Sequence, residues 1–311
     1  MKNLPVAGRR TALACGVGAT SLLLAAGAAR GQSPQFHGLT FTQANGYSSY
    51  HYTNGLITRD GSTAIDVGYV YPRWEVARQT AGSSSLQLMG TLPGDARLFP
   101  EDLSANGAVL VGASESSSYP NDYLRRAFRW TAAMGMQDLG QLPGHNTADA
   151  LSVSGNGEVV VGISGHRPQF SQQWDQRAAF RWTAADGMQA ITAPAWAGTI
   201  TPNLVNFTGS VIAGQFQTDL PYGTPHSRGA FVWTPQSRGD GSFVELPGLM
   251  TGYYASVTGM NDLGTVIVGR GGTPVTGGGG PMIWRRDLFN GEWSVEDIRR
   301  RACWGRSTRR T

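Results

Sequence analysis

Ala127-Phe128-Arg129-Trp130-Thr131, Ala179-Phe180-Arg181-Trp182-Thr183 and Ala230-Phe231-Val232-Trp233-Thr234 are versions of one pentapeptide, and their spacing decides how the chain is read. Counted by tryptophan, Trp74, Trp130, Trp182, Trp233 and Trp284 stand 56, 52, 51 and 51 residues apart. A Gly-containing turn and a short apolar segment follow, as in Gly135-Met136-Gln137-Asp138-Leu139 and Gly187-Met188-Gln189-Ala190-Ile191. A Leu-Pro-Gly corner comes next at Leu92-Pro93-Gly94, Leu142-Pro143-Gly144 and Leu246-Pro247-Gly248. Each unit ends on a polar turn feeding an aliphatic run into glycine, at Gly68, Gly112, Gly162, Gly214 and Gly269.

Fixed periods of this length mark repeat architectures. Each unit reads as four short strands: a Trp strand and a Met-Gln strand joined by a glycine turn, then two strands joined by a turn such as Asn106-Gly107 or Asn156-Gly157. Four strands every fifty-odd residues is the period of a β-propeller blade, which buries its faces only against its neighbours. The tryptophans are read as the large side chains filling the space between blades. The expected fold is therefore all-β, a β-propeller of four-stranded blades.

The ends of the array shape a further expectation. Residues 36–68 carry Thr58-Arg59-Asp60-Gly61 and Ile65-Asp66-Val67-Gly68, half a unit with no Trp strand before it. Residues 281–298 carry Met282-Ile283-Trp284 and Trp293-Ser294-Val295, half a unit with no Val-Gly strand after it. Joined in space, these halves would make one blade and close a ring of five, with residues 60–68 pairing against 281–297. The alternatives are an open solenoid or a fragment of a larger propeller.

At these motifs the sequence resembles the bacterial extracellular repeat called the HAF family, whose units run His-Ala-Phe-x-Trp, Asp-Leu-Gly-x-Leu-x-Gly and a polar turn into Val-Val-Gly. The match spans roughly residues 55–298. It is nearest in Ala127-Phe128-Arg129-Trp130, Asp138-Leu139-Gly140-Gln141-Leu142-Pro143-Gly144 and Val159-Val160-Val161-Gly162. The His of the family motif is replaced by Arg126, Ala178, Gly229 and Gly280, so no role attached to it carries over. The resemblance implies an exported, propeller-like protein and supplies no catalytic residues.

Export is also read from the residues themselves. Residues 1–31 form a signal peptide: a cationic start with Lys2, Arg9 and Arg10, an apolar stretch from Ala12 to Ala29, and cleavage near Ala28 to Gly31. Residues 32–298 form the repeat domain, and residues 299–311 a basic tail, read as disordered or frame-shifted. Of the 25 cations in the chain, four lie in the signal and six in the tail, leaving 15 against 21 acids in the repeat body. That acidic balance argues against a nucleic-acid partner. Cys15 lies in the signal, so Cys303 alone remains and no internal disulfide forms. The expected product is secreted, periplasmic or cell-surface, monomeric, and without a membrane span after cleavage.

Chemistry is sparse. The five histidines show no metal-ligand spacing, and no cofactor motif is present, so neither a metal nor a cofactor is expected. Asp60, Asp102, Asp122, Asp175 and Asp219 recur from unit to unit and keep a glycoside hydrolase or lyase with paired carboxylates as the runner-up; Asp60 is read more simply as a turn residue. The main expectation is a non-catalytic module. Its longest loops, from each Val-Gly strand to the next Trp strand, carry Tyr119, Asp122 and Tyr123, then His166, Phe170, Trp174 and Asp175, then Asp219, Tyr222 and His226. In a ring these loops emerge on one face, where aromatics beside polar groups suit a glycan or protein partner. For any one of them, packing down onto a blade edge is the plainer reading. A third expectation is a spacer within a larger surface protein.

Overall fold

The structure, a computed structural model, describes residues 51–298 except 71–72, 84, 117–123, 169–172, 175, 221–227, 237–240, 249–253 and 273–279. Residues 1–31, read from sequence as a signal peptide, residues 299–311, read as a basic tail, and the loop residues Tyr119, Asp122, Tyr123, Phe170, Asp175, Tyr222 and His226 lie outside the described residues.

Twenty strands form five four-stranded antiparallel sheets, each built from consecutive strands. The first holds β1 (His51–Ile57), β2 (Thr63–Val70), β3 (Arg73–Thr80) and β4 (Gln87–Leu88). The second holds β5 (Asp95–Leu103), β6 (Val109–Ser116), β7 (Arg125–Thr131) and β8 (Gly135–Asp138). The third holds β9 (Thr147–Val153), β10 (Val159–His166), β11 (Gln176–Thr183) and β12 (Gly187–Ala190). The fourth holds β13 (Thr199–Val205), β14 (Ile212–Gln217), β15 (Arg228–Pro235) and β16 (Gly241–Glu245), and the fifth β17 (Tyr254–Met260), β18 (Val266–Gly272), β19 (Gly280–Arg286) and β20 (Trp293–Asp297). First strands of successive sheets lie beside one another, so β1, β5, β9, β13 and β17 are the inner strands of a five-bladed propeller.

The sheet expected from the two chain ends is not formed. β2 pairs with β1 and β3, and β19 pairs with β18 and β20. The blade begins after the Leu-Pro-Gly corner and not at the tryptophan, so a Trp-to-Trp unit straddles two blades. Cut at the corner, residues 51–297 hold five whole blades and no halves. The inner strand of the first blade, His51-Tyr52-Thr53-Asn54-Gly55-Leu56-Ile57, lacks apolar alternation, which is why it does not read as a strand.

Pairing also corrects the register of the first repeat. Leu110, Val160, Ile212 and Ile267 stand opposite Trp130, Trp182, Trp233 and Trp284, but the equivalent Ala64 stands opposite Gln79. Trp74 pairs instead with Tyr69 and is not a member of the tryptophan set. Gly68 is displaced likewise, because the place of Gly112, Gly162, Gly214 and Gly269 is held by Asp66. The substitution is coupled across the sheet. Gly112, Gly162 and Gly214 face Phe128, Phe180 and Phe231, whereas Asp66 faces Ala77.

The glycines are required by the inner strand. β5, β9, β13 and β17 each shift register by one residue opposite this position, and the bulge presses a carbonyl onto the glycine. A Cβ on Gly162 would lie 2.1 Å from the Asp149 carbonyl oxygen and 2.7 Å from the Phe180 ring. In the first blade, where Asp66 carries a Cβ, β1 departs from its partner over a longer stretch, between Tyr52 and Leu56.

Four apolar cores lie between neighbouring blades. One joins Ile65, Val76 and Leu92 to Leu98, Leu110, Phe128 and Trp130, and the next joins Val111, Ala127 and Leu142 to Ala150, Val160 and Phe180. The others tie the third blade to the fourth and the fourth to the fifth. The arginine before the tryptophan, or before Gln79 in the first blade, adds to this packing. Arg78 lies 5.7 Å from the Trp130 ring centroid and donates to the Gly107 carbonyl, and Arg129 repeats both contacts with Trp182 and Gly157. Between the fifth blade and the first, an exposed Arg59–Asp262 ion pair at 2.8 Å joins the turns of the two blades. Val268 is 38 % exposed, whereas its counterparts Ile65, Val111, Val161 and Ala213 are buried.

Replacing Gly162 by alanine should destabilise the protein by about 2 kcal/mol or more, since the obstruction is backbone and cannot swing aside. Urea unfolding would measure the loss, and an unchanged midpoint would contradict the close approach.

Candidate functional site

The strand-two to strand-three connections leave one end of the ring, here called the loop end. Three residues before the recurring phenylalanine, at the start of the third strand of three successive blades, stand Arg125, Arg177 and Arg228. The sequence reading passed over them, although aligning the three repeats on phenylalanine exposes the periodicity.

Arg125 sits in an ion-pair cluster between the second and third blades. Its Nε donates to Glu115 at 3.2 Å and its Nη1 to Asp149 at 3.3 Å, while the guanidinium lies 4.4 Å from the Phe99 ring centroid. Arg97 approaches the other Glu115 oxygen at 3.7 Å. Burial pushes the Asp149 carboxyl above its usual range, opposed by Arg125 and, less strongly, Arg167. Burial also raises Glu101, the extra residue of the β5 bulge, and the Asp149 charge adds to that rise. The rigid guanidinium fork holds Glu115 and Asp149 oxygens within about 9 Å of each other.

Beside this cluster a cleft of about 570 Å³ runs across the third, fourth and fifth blades. Its lining residues include Arg177 and Arg228, Thr199, Thr201, Thr218 and Ser256, Gln215 and Gln217, and the aromatics Trp174 and Tyr254, together with Phe216, which is otherwise buried in the core between the third and fourth blades. Asp219 is the one carboxylate among the lining residues.

Of the loop residues expected to bind a ligand, the structure brings Trp174 and Asp219 to this cleft. His166 ends β10, half-buried, and does not line it. Trp174 is not an open platform. Its indole lies on the bare backbone of Gly165, where a Cβ would come within 2.3 Å, and Arg177 stands 5.2 Å from its ring centroid. Trp196, half-exposed, packs edge-on against Phe216 at 5.5 Å; it was not singled out because no repeated motif includes it.

The other aspartates do structural work. Asp102 accepts from Ser152 Oγ at 2.7 Å and from the Val153 amide at 2.9 Å, joining the inner strands of two blades; burial raises its carboxyl against these bonds. Asp60 accepts from the Ser62 amide at 2.9 Å, which lowers its carboxyl and fits its reading as a turn residue. Among the described residues no group of three or more His, Cys, Asp or Glu is placed to hold a metal, and no helix is long and apolar enough to cross a membrane.

No protein-family model matches the chain, and no curated protein matches it in sequence. Solved β-propeller structures do match in shape. An oligogalacturonate lyase in complex with manganese aligns with a TM-score of 0.51 at 15 % identity, over 77 % of this chain and 63 % of that one. The β-propeller domain of the Trilobed protease from Pyrococcus furiosus, described as having an open velcro topology, aligns with a TM-score of 0.51 at 8 % identity, over 80 % of this chain and 70 % of that one. Prolyl oligopeptidase B from Galerina marginata aligns with a TM-score of 0.50 at 8 % identity, over 77 % of this chain and 34 % of that one. The chain thus spans under two thirds of the lyase and about a third of the oligopeptidase. At these identities the likeness establishes the β-propeller fold and no activity.

Removing the Arg125 guanidinium by an Arg125→Met change should cost about 3 kcal/mol at neutral pH, because two buried carboxylates lose their partner. Asp149 is already raised in the folded state, so the native protein binds its proton first and stability rises as pH falls toward the ordinary value of 3.8. In the variant that rise should be larger and begin at higher pH. Thermal melts from pH 7 to pH 4 would show it, and parallel curves for both proteins would contradict the pairing.

Proposed function

We propose that this chain is an exported β-propeller of the HAF repeat kind that acts as a non-catalytic binding module, taking a glycan or protein ligand on its loop end. The observation carrying this reading is the polar cleft across three blades, lined mainly by residues of β11, β13, β14, β15 and β17 with Trp174, Thr218 and Asp219 from the connections. Threonines, a serine, glutamines and two arginines among the lining residues can supply directional contacts. A screen of the mature protein against glycans, peptides and cell-wall fragments should give binding that competes with modification of the cleft. Silence across all three would reject the module. Export predicts a mature N-terminus near Ala28 to Gly31, to be read by N-terminal sequencing of the extracytoplasmic fraction.

A second reading, a glycoside hydrolase or lyase, draws on the carboxylates Glu115, Asp149 and Glu101 at the loop end. The oxygens of Glu115 and Asp149 lie within about 9 Å of each other, and burial raises the carboxyls of Glu101 and Asp149. Against it, Arg125 occupies both Glu115 and Asp149. Turnover of a polysaccharide that is lost in Asp149→Asn would favour the enzyme over the module.

A further inference from the structure

One aromatic side chain on the loop end stands apart from the repeat. Strands two and four of a blade run in the same direction, so the corner from each fourth strand to the next inner strand also leaves at the loop end. At the first two corners Leu92 and Leu142 are buried in the inter-blade cores. At the third, Ala193-Pro194-Ala195-Trp196-Ala197 replaces that pattern. Ile191 and Ala197 supply the buried apolar residues there, while Trp196 keeps 49 % of its surface in water. It is therefore more than the seal of a core. Its indole stands nearly perpendicular to the rings of Phe216 and Phe243, with centroids 5.5 and 5.8 Å away, contacts that fix an aromatic ring without enclosing it. The corner is pinned as well. Gly198 bridges Gln217, and a Cβ on Gly198 would lie 2.4 Å from the Gln217 carbonyl oxygen. Thr199, Gln217 and Thr218, which follow or touch this corner, line the 570 Å³ cleft, whereas Trp196 stands just outside it.

Resting on the binding-module reading, we infer that Trp196 is a stacking subsite beyond the cleft, and that the ligand is an unbranched β-1,4-linked saccharide chain long enough to reach it. A cleft of about 570 Å³ takes a ligand of drug size, roughly a di- or trisaccharide. A longer chain has to leave it, and one leaving past Thr199 and Gln217 meets Trp196. The part of the side chain left in water, on the order of 100 Å², is comparable with one face of a sugar ring. A pyranose carries C–H groups on its faces and hydroxyls around its rim. The faces suit the indole, and the rim suits the hydroxyls of Thr199 and Thr218 and the amide of Gln217. Equatorial β-1,4 links hold successive rings in an extended ribbon that keeps those faces available, whereas axial links coil the chain. Among peptides, a proline-rich one offers comparable rings to an aromatic platform, which makes it the competing ligand to exclude.

The test is calorimetry on the mature full chain with cellobiose and cellohexaose, chitobiose and chitohexaose, and a hexaproline peptide. In at least one sugar series the hexasaccharide should bind roughly tenfold tighter than the disaccharide. Trp196→Leu, which puts at this corner the residue type of the first two, should remove most of that gain and weaken the hexasaccharide more than the disaccharide. Trp196→Tyr keeps a ring beside Phe216 and Phe243 and should retain part of the gain, so the comparison stays informative should the leucine variant fail to fold. A hexasaccharide that binds no tighter than its disaccharide overturns the subsite. So does an equal loss for both lengths, because a ring beyond the cleft does not touch the shorter ligand. A lowered melting temperature with unchanged affinities would make Trp196 a cap and nothing more. Hexaproline binding as tightly as the hexasaccharides would overturn the saccharide in favour of a proline-rich peptide. Failure of every probe overturns the inference, while the broader ligand screen decides the module separately.

Discussion

One steric fact organises the molecule: the inner strand of each of four blades bulges so that its carbonyl rests on a glycine of the second strand. At Gly162 the space beneath is closed by Asp149 on one side and Phe180 on the other. Glycine alone lets both approach, and the phenylalanine ring fills the volume that a side chain would have taken. Gly112 with Phe128 and Gly214 with Phe231 repeat the arrangement, and Gly269 with Met282 and Trp284 vary it. The buried phenylalanines then form part of the apolar cores between blades, so a contact within one sheet also sets the packing between sheets.

The same register places the chemistry. Because glycine and phenylalanine are cross-strand partners, the residue three before phenylalanine is locked opposite the residue three after glycine. That is how Arg125 meets Glu115, and why Arg177 and Arg228 occupy equivalent sites with different surroundings. The bulge contributes as well, since it sets which inner-strand residue of the next blade reaches the arginine. A close-packed repeat thereby becomes a row of equivalent positions whose neighbours substitution can change without disturbing the frame.

The first and fifth blades show what happens where the pattern lapses. Asp66 and Ala77 replace the Gly–Phe pair, and Gln79 replaces the tryptophan, so the first blade holds its register with different side chains. Its buried Gln79 donates to the Ser83 carbonyl, a polar solution at a position that is apolar elsewhere. On the far side, Val268 has no described counterpart of the neighbouring blade covering it, and one exposed ion pair joins the turns of the two blades. Such an exposed pair contributes little, and the four inter-blade cores supply the apolar packing that joins the successive blades.

Periodicity made the all-β propeller and its four-stranded unit legible, because strand length, turn glycines and the recurring tryptophan are local properties. It also placed Trp174 and Asp219 on connections that do meet in one cleft. The blade boundary was not legible from the most conspicuous residue. Trp74 stands near the expected interval but five residues from Gln79, and the first inner strand is polar, so hydrophobic counting left the ends as halves. The partners of Arg125 were not legible either. Glu115 lies ten residues before it and Asp149 twenty-four after it, and neither spacing carries a signal until strand pairing and blade adjacency are known. Sequence determined the repeating unit because each unit must satisfy its own turns and backbone. Tertiary structure decided which charges meet, since that depends on how one blade's inner strand bulges against the next.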